Sequence, residues 1–450
     1  MIYVLGMTSP DYASILGLYQ RTLSTGVLEY LQRQAGMRIR RGIYAAQVVL
    51  WLMIVQRLQP VGTLASAIQL LLQGIAAPVL PNCKRVAESR ISSRTGGYCR
   101  ARQRLPQVLC RQVMREILLQ LRQVLSGAEV GQRPVFLLDG SSLELEHCKE
   151  LVRAYPPAQN QYGRSHWPVV RMLVLHDVES GLAEEPSWGP MYGPHAVSEQ
   201  ELAEKAMEKL PANAVVLGDR NFGIFWIAYA AQQRGLGVVL RLTDVRAGRL
   251  VETGAQAGEQ RVGWQPSRWD GGNHHHWPPE AMVEGRVIWF RMGRGKSQEW
   301  LYLFTTLDWS AHEIIELYGR RWNIETDLRS LKRTVRLHHI AAKSEEMMEK
   351  ELLIAVAAYN LVRAVMCLAA RRNNLDPRQL SFAHVLNVVN AAWPKLAAAQ
   401  THEEHHRHFE QVLVFAAQCR LPKRSKRRSY PRAVWRRSVS FPFSKEEKSK

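Results

Sequence analysis

The chain is short of cysteine: six in 450 residues, at positions 83, 99, 110, 148, 367 and 419, with no Cys-x-x-Cys pair among them. A chain of this length can bury two or three cores without disulfide staples, so the thiols read as reduced, as in a cytoplasmic protein. Uninterrupted apolar runs are also lacking. Residues 42–58 are apolar but short and broken by Gln47 and Gln56, and residues 349–371 carry Glu351, Asn360 and Arg363, so neither reads as a membrane span. No basic segment leads into a signal-like apolar stretch at the start. Acidic residues are outnumbered, 40 Asp plus Glu against 60 Lys plus Arg, giving a net charge of +20 and a pI of about 10.0. That excess implies a polyanionic partner, and with membrane set aside a phosphate backbone fits it.

The few acids that matter stand in telling places. Asp139 closes the run Pro-Val-Phe-Leu-Leu-Asp and Asp219 closes Ala-Val-Val-Leu-Gly-Asp. Short bare apolar runs followed by a polar break read as strands buried on both faces. If the two strands are adjacent and parallel, both carboxylates emerge at the sheet edge where open α/β folds build their sites. A third acid, Glu325, lies in Tyr318-Gly-Arg-Arg-Trp-Asn-Ile-Glu-Thr-Asp-Leu-Arg-Ser-Leu-Lys332. Read as one helix at about 100° per residue, this segment gathers Tyr318, Arg321, Glu325 and Lys332 into a stripe roughly 60° wide. Leu317, Ile324, Leu328 and Leu331 form an apolar stripe beside it. One acid, two cations and a phenol on one face suit a site handling phosphate beside a metal ion. Three converging carboxylates raise one another's pKa unless counter-charge is supplied, and a pair of Mg²⁺ ions supplies it while activating one oxygen and stabilising the leaving one. Singly, each aspartate reads equally as a turn or cap residue, and Glu325 with Arg329 as a solvated i,i+4 pair.

Taken together, Asp139, Asp219 and Glu325 resemble the DDE triad of cut-and-paste transposases with an RNase H-like core, and the Tyr-x2-Arg-x3-Glu-x6-Lys spacing is similar to the signature of the insertion-sequence-four family. Asp219-Arg-Asn-Phe222 fits the same family's pattern, and the resemblance covers roughly residues 85 to 440, starting near Gly97-Tyr-Cys-Arg-Ala-Arg-Gln-Arg-Leu-Pro106. It implies an α/β fold: an RNase H-like catalytic core interrupted by an all-β insertion, with a helical N-terminal domain and a helical, basic C-terminal region. It implies Mg²⁺ as cofactor, two ions on Asp139, Asp219 and Glu325 with Mn²⁺ as a substitute. The expected partner is double-stranded DNA, both element ends and target, bound by a homodimer without any membrane. Tyr318, Arg321 and Lys332 would then grip DNA phosphates. Trp300 matches a tryptophan that, in related transposases, fills the space left by a flipped base. The alternative for Trp300 is a strand residue buried in the insertion's own core.

The rest of the chain sorts around that core. Residues 1–130 read as a helical DNA-binding domain, with helical spacing at 47–58, 64–72 and 109–125; the basic stretch 84–104 reads either as a DNA-reading helix with its turn or as a linker. Residues 131–243 read as the first part of the core, with strands at 167–176, 181–188 and 237–241 and helices at 198–210 and 224–234. Residues 244–308 alternate as strands and form the insertion. Residues 309–345 return to the core, Ser310 and Glu313 opening the signature helix as a capping box. Residues 346–450 read as helical at 349–371 and 382–396, ending in a tail with a dozen Lys or Arg and Tyr430, Trp435, Phe441 and Phe443 between them. The tail suits DNA backbone, or is a disordered tail with no role. His402-Glu-Glu-His-His406 satisfies the HExxH expression of zinc hydrolases, but no third ligand or second-shell pattern follows it. His274-His-His276 reads as an exposed loop. The function these features suggest is cleavage of element ends and their joining to target DNA. The rivals are a nuclease on the same core, or a decayed transposase that only binds DNA.

Overall fold

The computed structural model describes residues 15–422, except 41, 75, 77–78, 81–82, 89, 126–132, 161–162, 253–255, 268–269, 271–276, 293–298, 339 and 400. The basic tail beyond 422 and His274–His276 lie outside the described residues.

One eight-stranded sheet runs through the molecule. Its strands are β1 (Val135–Glu144), β4 (Val169–Asp177), β5 (Ser187–Pro190), β6 (Val215–Gly218), β7 (Gly237–Leu242), β8 (Gly258–Trp264), β9 (Val283–Met292) and β10 (Glu299–Thr305); β2 (Gln159–Asn160) and β3 (Gly163–Arg164) form a separate small hairpin. The order is β5-β4-β1-β6-β7-β10-β9-β8, with β1, β6 and β7 parallel and every other pair antiparallel. The central strands are the bare apolar ones. Every residue of Val215–Gly218 is buried, because helices cover both faces. Phe136, Leu138, Val216, Val238 and Leu240 pack under helices Glu199–Met207 and Phe225–Gln233, while Leu137, Val215, Leu217 and Val239 pack under helices Ala311–Gly319 and Asn323–Arg329.

Three elements differ from their sequence reading. Residues 244–308, read as an all-β insertion within the core, are not all β: helix Asp244–Leu250, capped by Thr243, opens the segment, and β8, β9 and β10 extend the central sheet beyond β7. Residues 181–188 are not a continuous strand. Glu184 and Glu185 turn inward to meet arginines of helix Gln107–Leu125, so pairing resumes only at Ser187. The signature segment is not one helix. It runs as helix Ala311–Gly319, a 3-10 turn Arg320–Trp322, helix Asn323–Arg329 and a π turn Ser330–Thr334, ending at Arg336 with φ of 59°. In this widened last turn Leu331 stays in the core and Lys332 reaches the Ser142 carbonyl on β1.

The helical part of the molecule is organised by Glu345–Arg372. By length and composition this helix could cross a membrane, but 94% of its apolar window is buried inside the protein, which makes it a core helix. Helices Ile15–Thr22, Ala46–Leu58 and Gln107–Leu125 pack on it from the N-terminal side, Phe382–Ala398 and His402–Gln418 from the C-terminal side. Charges buried in this packing have partners, Arg363 the Ser180 carbonyl and others a counter-ion. Glu351 receives Arg57 and Arg102, and Asp327 receives Arg378 at 2.5 Å and the Tyr359 hydroxyl at 3.1 Å. Tyr98 and Arg102, within the basic stretch 84–104, are spent on this interior.

Candidate active site

The two aspartates are neighbours by register. β1 pairs in parallel with β6 from Val135↔Val215 to Leu138↔Gly218, and the next residue on each side is Asp139 and Asp219. Asp139 does not end its strand, as the sequence suggested. β6 stops, and β1 continues to Glu144 paired with β4 alone. The cleft opens where that second neighbour is lost.

Asp139 accepts the Gly140 amide at 2.8 Å. Burial pushes its pKa up to about 6; Asp219 and Glu199 push the same way, while the Gly140 amide and Arg321 oppose them. Asp219 accepts the Asn221 amide at 2.8 Å, and its own carbonyl accepts the Phe222 amide at 3.0 Å, closing a tight turn whose Phe222 ring is fully buried. Gly223 then passes so close to β7 that a Cβ there would sit 1.9 Å from the Arg241 carbonyl oxygen. The turn carrying Asp219 is therefore held from below and from the side.

Glu325 does not join the pair directly. It is about half exposed and faces Arg321 at 3.7 Å. Arg321 lies over the Trp322 ring at 4.8 Å, with only 13% of its side chain exposed, and is near enough to Asp139 to hold that carboxyl down. The guanidinium thus acts on both the third acid and the first. Among the described residues, no three Asp, Glu, His or Cys side chains are gathered in metal-ligating geometry. Tyr318 is buried, with Asp219 and Arg241 beside it; its hydroxyl lacks a fully formed hydrogen bond, and burial raises its pKa. Lys332 donates to the Ser142 carbonyl at 2.9 Å and lines a cavity of about 430 Å³ with Glu144, Trp167 and His338, farther along β1. Burial and Arg333 lower its pKa.

Trp300 sits at the start of β10, opposite Arg291, whose guanidinium lies 4.9 Å above the indole. β10 runs antiparallel to β7, so Trp300 lies at the same edge of the sheet as Asp219, two strands away. The ring is half-buried and packs on the face opposite the signature helix.

The sequence profile of the transposase DDE domain matches residues 131–361, just over half of the chain. The chain belongs to the DDE transposases, of the IS4 type. It is 24% identical over 326 residues to the transposase InsG for insertion sequence element IS4 from Escherichia coli (strain K12), covering 68% of each chain. A transposase of this family is a nucleic-acid-processing enzyme that acts on DNA, and its DDE domain uses divalent metal ions. The residues present fit such an ion in part. Asp139 and Asp219 offer hard oxygen donors, and burial, with Asp219 and Glu199 beside it, raises the Asp139 pKa, which a bound cation would oppose. Glu325 faces Arg321 and is not gathered with them.

Sequence reasoning missed three residues at this transposase's cleft. Glu199 and Asn221 touch each other at 2.6 Å beside the aspartates, and Arg241 reaches Tyr318 from β7. Asn221, inside Asp219-Arg-Asn-Phe222, was the one available signal. His402-Glu-Glu-His-His406 lies on helix His402–Gln418, where His406 faces Glu410 at 3.7 Å, and no third ligand joins it among the described residues.

Proposed function

We propose that this transposase cleaves insertion-element ends and joins them to target DNA by metal-dependent hydrolysis and transesterification in an RNase H-like core. One observation carries the reading: Asp139 and Asp219 stand side by side at the end of parallel pairing, and among the described residues neither makes a salt bridge. The strand order supports it. Counting only the strands of this sheet, β5-β4-β1-β6-β7 reads third, second, first, fourth, fifth, with the first three antiparallel and the last two parallel to the first, the order that the RNase H-like reading expects.

Asp139 and Asp219 would hold divalent metal, Mg²⁺ or Mn²⁺, with Glu325 completing the set once Arg321 turns to a DNA phosphate. The metal would supply a water of lowered pKa and a stabilised leaving oxygen. Water attacks the phosphodiester at the element end; the P–O bond to the 3′ oxygen breaks and that oxygen leaves as a hydroxyl. The freed 3′-hydroxyl then attacks a target phosphodiester, displacing a second 3′ oxygen. Tyr318, Arg321 and Lys332 hold phosphates near the cut, with Lys332 placed beyond the aspartates along β1 to reach the next one. Trp300, at the same edge, receives bases unstacked at the end. Two ends cut together need two active sites, which a homodimer provides.

The test uses end-bearing DNA with Mg²⁺. Asp139→Ala, Asp219→Ala and Glu325→Ala should each abolish cleavage while leaving end binding in a gel shift largely intact, because phosphate contacts elsewhere supply the grip. Substantial cleavage by any one of them removes that residue from the triad. Cut but unjoined products from the native chain would make it a nuclease, and shifted but uncut DNA a binding protein.

A further inference from the structure

We propose that Glu199 is a positioning residue that sets the distance between Asp139 and Asp219, acting through Asn221 on one side and across Gly140 on the other. The inference rests on the proposed pair of metal-binding aspartates and adds a residue to it.

The geometry is a short chain of contacts. Asn221 donates its side-chain amide to Glu199 Oε2 at 2.6 Å, and its backbone amide donates to Asp219 Oδ1 at 2.8 Å. Gln200, the next residue on the same helix, donates to the Asn221 carbonyl at 3.1 Å and to its Oδ1 at 3.0 Å. Two consecutive side chains therefore clamp the residue that orients Asp219. The clamp itself is anchored, because Ser198 and Glu201 close a capping box at the start of helix Glu199–Met207. On the other side the Glu199 carboxylate lies over Gly140. A Cβ at position 140 would come within 2.6 Å of its carboxyl carbon and 2.7 Å of Oε1. Gly140 is also the residue whose amide holds Asp139.

Placing a third negative charge here works against the cluster, since Glu199 adds to the pressure on the Asp139 carboxyl. A neutral side chain could hold Asn221 without that cost, so charge and position are separable by substitution. Glu199→Gln keeps an oxygen for the Asn221 amide; Glu199→Ala removes it. Gly140→Ala leaves Glu199 in the chain but displaces its carboxylate, the far end of a flexible side chain, so the fold should survive.

The test measures Mn²⁺ binding to the full chain without DNA, by calorimetry and by loss of the free-ion electron paramagnetic resonance signal, beside thermal melting. Glu199→Ala and Gly140→Ala should each weaken Mn²⁺ about ten- to a hundredfold, the range for outer partners of metal ligands. Glu199→Gln should bind within about threefold of the native chain, and all three should melt cooperatively. Equal losses in Glu199→Gln and Glu199→Ala would overturn the positioning role and make the charge itself the contributor. Unchanged binding in Glu199→Ala or in Gly140→Ala would also overturn it. If the native chain binds no Mn²⁺ while Asp219→Ala still cleaves, the aspartate reading fails first.

Discussion

Glu351 and Asp139 are both carboxylates withdrawn from water, and the molecule treats them in opposite ways. Glu351, deep among helices, receives Arg57 and Arg102 together. Asp139, at the sheet edge, is given two further acids as neighbours and, among the described residues, no ion pair of its own, and burial carries its pKa to about 6 against the pull of Arg321. Neighbours in one turn show that a single cation does not offset burial, while several do. Burial works against Glu185, yet Arg115, Lys209 and Arg111 together bring its pKa below the usual range; Glu184, with Arg122 as its counter-charge, is pushed up by burial to about 7. Each of these interior acids is given cation partners by the chain itself. The edge acids are left for something that arrives from outside.

The sharpest way to test this contrast is to remove the interior acid. Glu351→Ala leaves two buried guanidinium groups without their carboxylate and should cost about 3–5 kcal/mol in denaturant or thermal unfolding. A loss under about 1 kcal/mol would mean that those arginines find water, and the contrast would dissolve.

The same operation at the edge should have the opposite sign. The Asp139 carboxyl binds a proton more tightly in the folded state than in the unfolded one, so its contribution is present below about pH 4 and lost as pH rises through about 6. With chelator present, Asp139→Asn should therefore stabilise the fold at pH 7.5 by about 2–3 kcal/mol, and by almost nothing at pH 4. Added Mg²⁺ should raise the melting temperature of the native chain and not that of the variant. Destabilisation by Asp139→Asn at pH 7.5 would show that the edge acids are structural.

Trp300 offers the smallest expected effect. If its indole receives an unstacked base, Trp300→Ala should slow a late, strained step about ten- to a hundredfold, from the roughly 1–3 kcal/mol of lost stacking. An abasic end substrate should restore part of the rate. Uniform weakening of all steps, with a lower melting temperature and no abasic rescue, would assign the residue to the face it packs on.

What the sequence disclosed is what four to seven consecutive residues can encode. The Ser198–Glu201 and Ser310–Glu313 boxes cap their helices as read, and Val-Val-Leu-Gly forms the doubly covered strand before Asp219. Leu317, Ile324, Leu328 and Leu331 are buried as their spacing indicates. The broken signature helix was not legible, because its last turn widens to satisfy a core that other segments supply. Nor was Asp327, which looks like an ordinary polar helix position until the turn Pro377–Gln379 brings Arg378 against it. Glu199 depends on sheet register: nothing local says that the helix after β5 begins beside Gly140.

The central placement of helix Glu345–Arg372 also has a consequence for synthesis. Helices Ala46–Leu58 and Gln107–Leu125 emerge from the ribosome long before the partner that covers them. A nascent chain stopped short of residue 345 would carry their apolar flanks open to water, and it would also lack Glu325 if it stopped twenty or so residues sooner. Arrival of the last acid thus only shortly precedes that of the helix that covers these flanks. Truncated products of this chain should be recognised by chaperones and proteases before they can engage DNA.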